Sequence, residues 1–223
     1  MQTYLSLEYA HPDKLPPGHA NEVRTPATLV EHFLREYSEP GDRVIDPFAG
    51  YGTTLRVAER LDREPCGIEY ESDRVAYIED QLETADAVRH GDVLDLEASW
   101  MPACDCCFTS PPFMWKADDR NPFENYGGES TYEAYLVDIE TAFTRLESVL
   151  HPDSAVIIDV SNMKHEGEVT TLAWDIADRV ANMFHFEGET VVTWDDDGDN
   201  DRDGTFGYGY DHSYCLVFRN AAE

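Results

Sequence analysis

The chain has 223 residues, 42 % of them hydrophobic, and carries 46 acidic against 16 basic side chains, a net charge of −30. That length suits one α/β domain with a sizeable core, and acids spread along the whole chain exclude an acidic tail or a single acidic binding patch. No apolar run approaches transmembrane length and the start carries no signal-peptide pattern, so a soluble, cytoplasmic protein is expected; five cysteines, an odd number, fit a reducing compartment better than a disulfide framework.

Residues 1–24 read as an irregular segment punctuated by Pro12, Pro16, Pro17 and Gly18. Thr25-Pro26 then makes a helix start, with Thr as cap, and Leu29, Val30, Phe33, Leu34 and Tyr37 form its apolar stripe. After Pro40-Gly41-Asp42, the short apolar run Arg43-Val44-Ile45 predicts a buried strand closed by Asp46. Gly50-Tyr51-Gly52 predicts a tight turn, and Leu55, Ala58 and Leu61 recur at helical spacing beyond it. This is the opening unit of a nucleotide-type α/β site. It is not a dinucleotide fingerprint, because the third glycine of G-x-G-x-x-G would fall at Leu55, and no G-K-[ST] follows for a phosphate loop.

The run D-P-F-A-G-Y-G-T-T from Asp46 to Thr54 resembles motif I of S-adenosylmethionine-dependent methyltransferases, in the form used by amino-methyltransferases that act on nucleic-acid bases. The resemblance implies S-adenosylmethionine as cofactor, held in this stretch by Asp46, Phe48, Gly50, Gly52, Thr53 and Thr54. The helix before it resembles the family's motif X, which makes Asn21, Arg24 and Thr25 candidates at the methionine end; a plain packing helix is the alternative. Pro65 to Glu69 reads as the second strand, and Glu69 lies about 20 residues past the glycine turn, where doubly wound folds place a carboxylate for ribose hydroxyls. A helix follows from Ser72 or Asp73. Ala87–His90 reads as a third strand, and Gly91-Asp92 after it resembles the pair that contacts the adenine ring. Asp92 is therefore the candidate for the exocyclic amine, with a ligand-free turn as the rival.

Cys104 to Thr109 predicts the fourth strand, with Cys104, Cys106 and Cys107 as small buried hydrophobes rather than a metal site. It runs into Thr109-Ser110-Pro111-Pro112-Phe113, which resembles motif IV of the amino-methyltransferases in the S-P-P-F version typical of cytosine-N4 enzymes. The residue types fit the chemistry. An exocyclic amine is a poor nucleophile while its lone pair is delocalised into the ring. Acceptors at the Ser110 hydroxyl and Pro111 carbonyl can bind its N–H groups and favour a pyramidal nitrogen, and Phe113 can stack an extruded base. Thr109 joins the cofactor side.

Residues 114–131 predict a substrate-facing loop, too long for an ordinary βα connection. Trp115, Lys116 and Arg120 on it, with Lys164 after a fifth strand at Ala155–Val160, put scarce positive charge on the carboxyl-end face, for phosphate contacts or by chance on a solvated surface. A helix from Tyr132 to Leu150 is stopped by His151-Pro152-Asp153-Ser154. A further helix over Thr171–Phe184 and strands at Glu189–Trp194 and Tyr214–Arg219 complete the chain. His212 and Tyr214 stand where the family's motif VIII lines the target-base pocket, or else are a solvated histidine and a core tyrosine. The run D-D-D-G-D-N-D-R-D-G fits the start of an EF-hand loop, but its twelfth position is Tyr210; an acid-rich loop without metal is expected.

The resemblance covers residues 21–219 and implies a single Rossmann-like α/β domain over 1–223, with a seven-stranded mixed sheet, an antiparallel C-terminal hairpin and helices on both faces. The expected substrate is a base amino group in DNA, cytosine N4 ahead of adenine N6; a tRNA or rRNA base is the alternative. A non-catalytic cofactor-binding subunit is the reading from another class. The chain has no room for a separate target-recognition domain, so recognition falls to the 114–131 loop, a second subunit or a partner protein. The acid excess, with only three lysines, resembles that of proteins from haloarchaea, where salt screens self-repulsion.

Overall fold

The computed structural model describes residues 2–9, 15, 24–124, 127–195 and 212–221. Its order is β1 (Tyr4–Glu8), α1 (Ala27–Tyr37), β2 (Arg43–Asp46), α2 (Thr53–Arg60), β3 (Glu64–Glu69), α3 (Ser72–Gln81), β4 (Val88–His90), β5 (Cys104–Thr109), α4 (Tyr132–Glu147), β6 (Leu150–Val160), β7 (Met163–His165), β8 (Glu168–Thr170), α5 (Leu172–Val180), β9 (His185–Asp195) and β10 (His212–Arg219). The main sheet runs β1-β9-β10-β6-β5-β2-β3-β4. Strands β6, β5, β2, β3 and β4 pair in parallel, while β10 is antiparallel to both β6 and β9.

The sheet therefore has eight strands where seven were expected. The extra one is β1, in the segment read as irregular. It pairs in parallel with β9 from Tyr4↔Val191 to Glu8↔Asp195 and buries Leu5. A five-residue edge strand whose partner lies near the other end of the chain leaves little local signal. Other boundaries moved: α4 ends at Glu147, β6 runs back through the expected stop at 151–154, α5 is shorter than the predicted helix, and β9 and β10 begin earlier, at His185 and His212; a small hairpin, β7–β8, is added after β6. The helix start at Thr25 also differs. Pro26 takes the cap position of α1 with no side-chain cap, and the Thr25 hydroxyl turns elsewhere.

Alternation along the central strands fills both faces. Val44, Cys106, Phe108 and Ile157 pack under α1 and α2, whereas Ile45, Cys107, Val156 and Ile158 pack under α4 and α5. The cysteines Cys104, Cys106 and Cys107 are buried in these layers, as their apolar setting predicts. After β2 the chain winds outward through β3 and β4, then returns to lay β5 on the other side of β2. The carboxyl ends of β2 and β5 thus flank the topological switch point, where a doubly wound sheet opens a crevice.

A candidate active-site cleft

The crevice is a cleft of about 590 Å³ over the carboxyl ends of β2, β3, β5 and β6, a size that suits a nucleoside-sized ligand. Its floor is Asp46, buried at the end of β2. Asp46 Oδ1 accepts the Thr109 hydroxyl at 2.6 Å and the Phe48 N–H at 3.1 Å, and Thr54 adds a further hydroxyl. Burial pushes the Asp46 carboxyl upward and these donors oppose it. The glycine turn needs its glycines. Gly50 and Gly52 hold φ +55° and +73°, and a Cβ on Gly52 would meet Ile78 at 2.9 Å.

Glu69, at the end of β3, clamps that turn. Its Oε2 accepts the Gly50 N–H at 2.7 Å and its Oε1 the Glu71 N–H at 2.8 Å, while burial raises its pKa. Each carboxylate oxygen has a second lone pair, and Glu69 lines the cleft. Asp92, which also lines the cleft, caps the short 3-10 turn Val93–Asp95 by accepting the Leu94 N–H at 2.9 Å. Gly91 before it is required by packing, since a Cβ there would strike the Trp100 ring at 2.9 Å.

Ser110, Pro111, Pro112 and Phe113 leave β5 along one wall of the cleft. The loop is held from behind: the buried Tyr135 of α4 donates its hydroxyl to the Pro112 carbonyl at 2.8 Å. Beyond Phe113 the chain returns to the cleft at Pro122 and Phe123, which line it. Buried Asn121 donates to Asp138 at 2.6 Å and accepts the Phe123 N–H at 3.0 Å; Phe123 sits 5.8 Å from Phe48 at the cleft wall.

Arg24, Thr25 and His212 reach the cleft lining, together with Phe48, Thr53 and Thr54. Gly52 and Thr109 support the lining from behind, and Tyr214, Trp115, Lys116, Arg120 and Lys164 stand outside it. Lys116 is ion-paired with Asp175 at 3.1 Å, donates to Thr171 at 3.0 Å and lies over the Tyr132 ring. Its charge is compensated within the fold. Asn21 and the acid-rich run beyond Asp195, which ends β9, lie outside the described residues.

Several cleft residues were not anticipated, Asp159 chief among them. Asp159, near the end of β6, accepts the Thr25 hydroxyl at 3.2 Å, and burial pushes its pKa up to about 6 against the Thr25 and Ser213 hydroxyls. Its Oδ1 and the Ser213 hydroxyl are buried, and neither closes a hydrogen bond of normal geometry among the described residues. Asp159 and Ser213 both line the cleft. Five carboxylates line the cleft, of which Asp46, Glu69 and Asp159 are buried, against the guanidinium groups of Arg24 and Arg74; this acid excess suits a ligand that carries positive charge.

Comparison with known proteins agrees with this geometry. Residues 7–80 and 104–223 match the family described as DNA methylase. A type II methyltransferase M.PvuII from Proteus hauseri is 44 % identical over 57 residues, 26 % of this chain and 17 % of that relative's length. The type II methyltransferase M.BglII from Bacillus subtilis is 42 % identical over 50 residues, 22 % of this chain and 14 % of its own. Among solved structures, TrmN from Thermus thermophilus superposes with TM-score 0.62 at 16 % identity, over 92 % of this chain and 52 % of that one. The N-methyltransferase NodS from Bradyrhizobium japonicum, solved with S-adenosyl-L-homocysteine, superposes with TM-score 0.60 at 8 % identity, over 88 % of this chain and 86 % of that one. At these identities the structural likeness is one of fold: Rossmann-like class I methyltransferase.

Proposed function

The chain belongs to the DNA methylase family, and from that premise we propose that it methylates an exocyclic amino group of a DNA base, cytosine N4 before adenine N6, with S-adenosylmethionine as cofactor. The observation that carries the reading is the Thr109–Asp46 bond. It ties the start of the S-P-P-F wall to the floor of the glycine-turn cleft, which supports reading the proposed amine acceptors and the cofactor cleft as one site.

When bound, the cofactor supplies an electrophilic methyl group on a positively charged sulfur. Asp46, Gly50, Glu69 and Asp92 would hold its nucleoside part, and Arg24 and Thr25 its amino-acid part. Asp159 adds negative charge that complements a sulfonium or ammonium. On the opposite wall, the Ser110 hydroxyl oxygen and the Pro111 carbonyl accept the N–H groups of the target amine. The nitrogen lone pair is thereby drawn out of conjugation with the ring. Proline at two successive positions and the Tyr135 hydroxyl on the Pro112 carbonyl keep those acceptors in place, so their geometry costs nothing at the moment of reaction. Phe113 offers a face for the extruded base.

The test is methyl transfer from labelled cofactor in multimolar KCl, with DNA and RNA offered separately and each digested to nucleosides. N4-methylcytosine in DNA is the expected product. N6-methyladenine in DNA would keep the site and change the base, and label in RNA alone would move the substrate to the alternative reading. Cofactor binding without transfer to either would favour a cofactor-binding subunit or a missing recognition partner.

A further inference from the structure

Beside the cleft, aromatic rings stand where a nucleic-acid binder ordinarily presents cations. Trp174, in the first turn of α5, is 41 % exposed and lies 4.9 Å from the Tyr214 ring with the planes at 56°. Tyr214 in turn meets His212 edge-on at 5.3 Å, and His212 and Leu172 line the cleft. The row Trp174–Tyr214–His212 therefore leads from open surface to the mouth of the site. Lys116 is already neutralised by Asp175, the neighbour of Trp174 on α5.

We propose that Trp174, backed by Tyr214, is a stacking platform for the base next to the target, and that the protein engages single-stranded DNA in preference to duplex. The inference rests on the DNA-methylating reading of the adjoining cleft. A chain of net charge −30 gains little from phosphate contacts, and less still in concentrated salt. Stacking on an aromatic face neutralises no phosphate and so releases no counterions, and every base has a face to offer. In a duplex that face is covered by the neighbouring base pair. In a single strand it is available, and the target base needs no extrusion from a paired stack.

The experiment measures binding of a fluorescent 16-nucleotide DNA by the full chain in 1 M and 3 M KCl, as single strand and as duplex, beside a single-stranded RNA of the same sequence. Wild type, Trp174→Ala and Trp174→Phe are compared, with melting curves as a control of folding. We expect the single strand to bind at least tenfold more tightly than the duplex, with less than a twofold change in Kd between the two salts. Trp174→Ala is expected to weaken single-strand binding about tenfold and Trp174→Phe much less, with the affinity for S-adenosylmethionine unchanged in both. Equal binding of strand and duplex, or a folded Trp174→Ala with wild-type affinity, overturns the platform; tighter binding of the RNA of the same sequence overturns its assignment to DNA. The underlying activity is scored separately by methyl transfer. Transfer that is indifferent to Trp174 rejects the platform alone, and Trp174-dependent binding without transfer rejects the catalytic reading alone.

Discussion

The Thr109 hydroxyl donates to Asp46 Oδ1 at 2.6 Å, across 63 residues of sequence, and so bolts the end of β5 to the end of β2 at the switch point of the sheet. Asp46 is buried, and its ionised form depends on this donor together with Thr54 and the Phe48 N–H. Thr109→Val keeps the shape and removes the donor, leaving a buried carboxylate short of one hydrogen bond. The expected cost is about 1–3 kcal/mol of stability, together with weaker binding of S-adenosylmethionine. Thr109→Ser should restore most of both. Thermal melts and calorimetric titration check this, and a Thr109→Val protein with wild-type values for both would show that the bolt is idle.

Ser110 and Phe113 sit on the opposite wall, where the amine would be held. Ser110→Ala removes one acceptor for the amine, and the turnover number is expected to fall on the order of 100-fold. Phe113→Ala should act chiefly on KM for the nucleic acid through lost stacking, about tenfold. Cofactor affinity should stay within a factor of two in each. Full transfer by the double variant would mean that the acceptors lie elsewhere.

The parts of this site that could be read from sequence are those whose signals are local. Asp46 to Thr54 and Cys104 to Phe113 each place an apolar run, a forced turn and their polar groups within a dozen residues, so residue type and position agree. Asp159 carries no such mark. In a chain with 46 acidic residues, an aspartate near the end of an apolar strand is unremarkable. Its meaning comes from Thr25, 134 residues before it, and from Ser213 on a neighbouring strand. Thr25 was misread for the same reason: its hydroxyl looks like a helix cap in sequence and serves Asp159 in the fold. Lys116, expected to meet phosphate, is claimed by Asp175 through the packing of α5. Strand β1 is invisible until β9 is beside it.

Much of the positive charge in the described fold is already paired: Arg35 and Arg60 share Glu31, Arg219 meets Glu187, and Arg179 is held between Glu133 and Glu140. The remaining carboxylates repel one another with few counter-charges, so we infer a protein built for concentrated salt. Multimolar KCl shortens the Debye length to about 3 Å or less. The melting temperature is expected to rise on the order of 10 °C between dilute buffer and 3 M KCl. A scan that is flat in KCl would remove the high-salt reading.

Asp159 makes a prediction whose sign is fixed by the direction of its pKa. Burial raises the carboxyl from its ordinary 3.8 to about 6, so the folded state binds the proton more tightly than the unfolded chain does. Below the unfolded value the group is protonated in both states and costs nothing. The cost develops as pH rises from about 4, is complete above about 6, and amounts to about 3 kcal/mol for a shift of about two units. Asp159→Asn should therefore raise the melting temperature at pH 8 and leave it unchanged at pH 3.5. The same charge favours a cationic ligand, so in the wild type the affinity for S-adenosylmethionine should fall as pH drops through about 6. In Asp159→Asn the affinity should be weaker at pH 8 and flat across that range. A variant stabilised at pH 8 that kept both wild-type affinity and its pH dependence would make Asp159 a buried burden with no part in holding the cofactor. Loss of the pH dependence together with the gain in stability would identify a carboxylate retained, at a cost to the fold, for the charge it presents to the cleft.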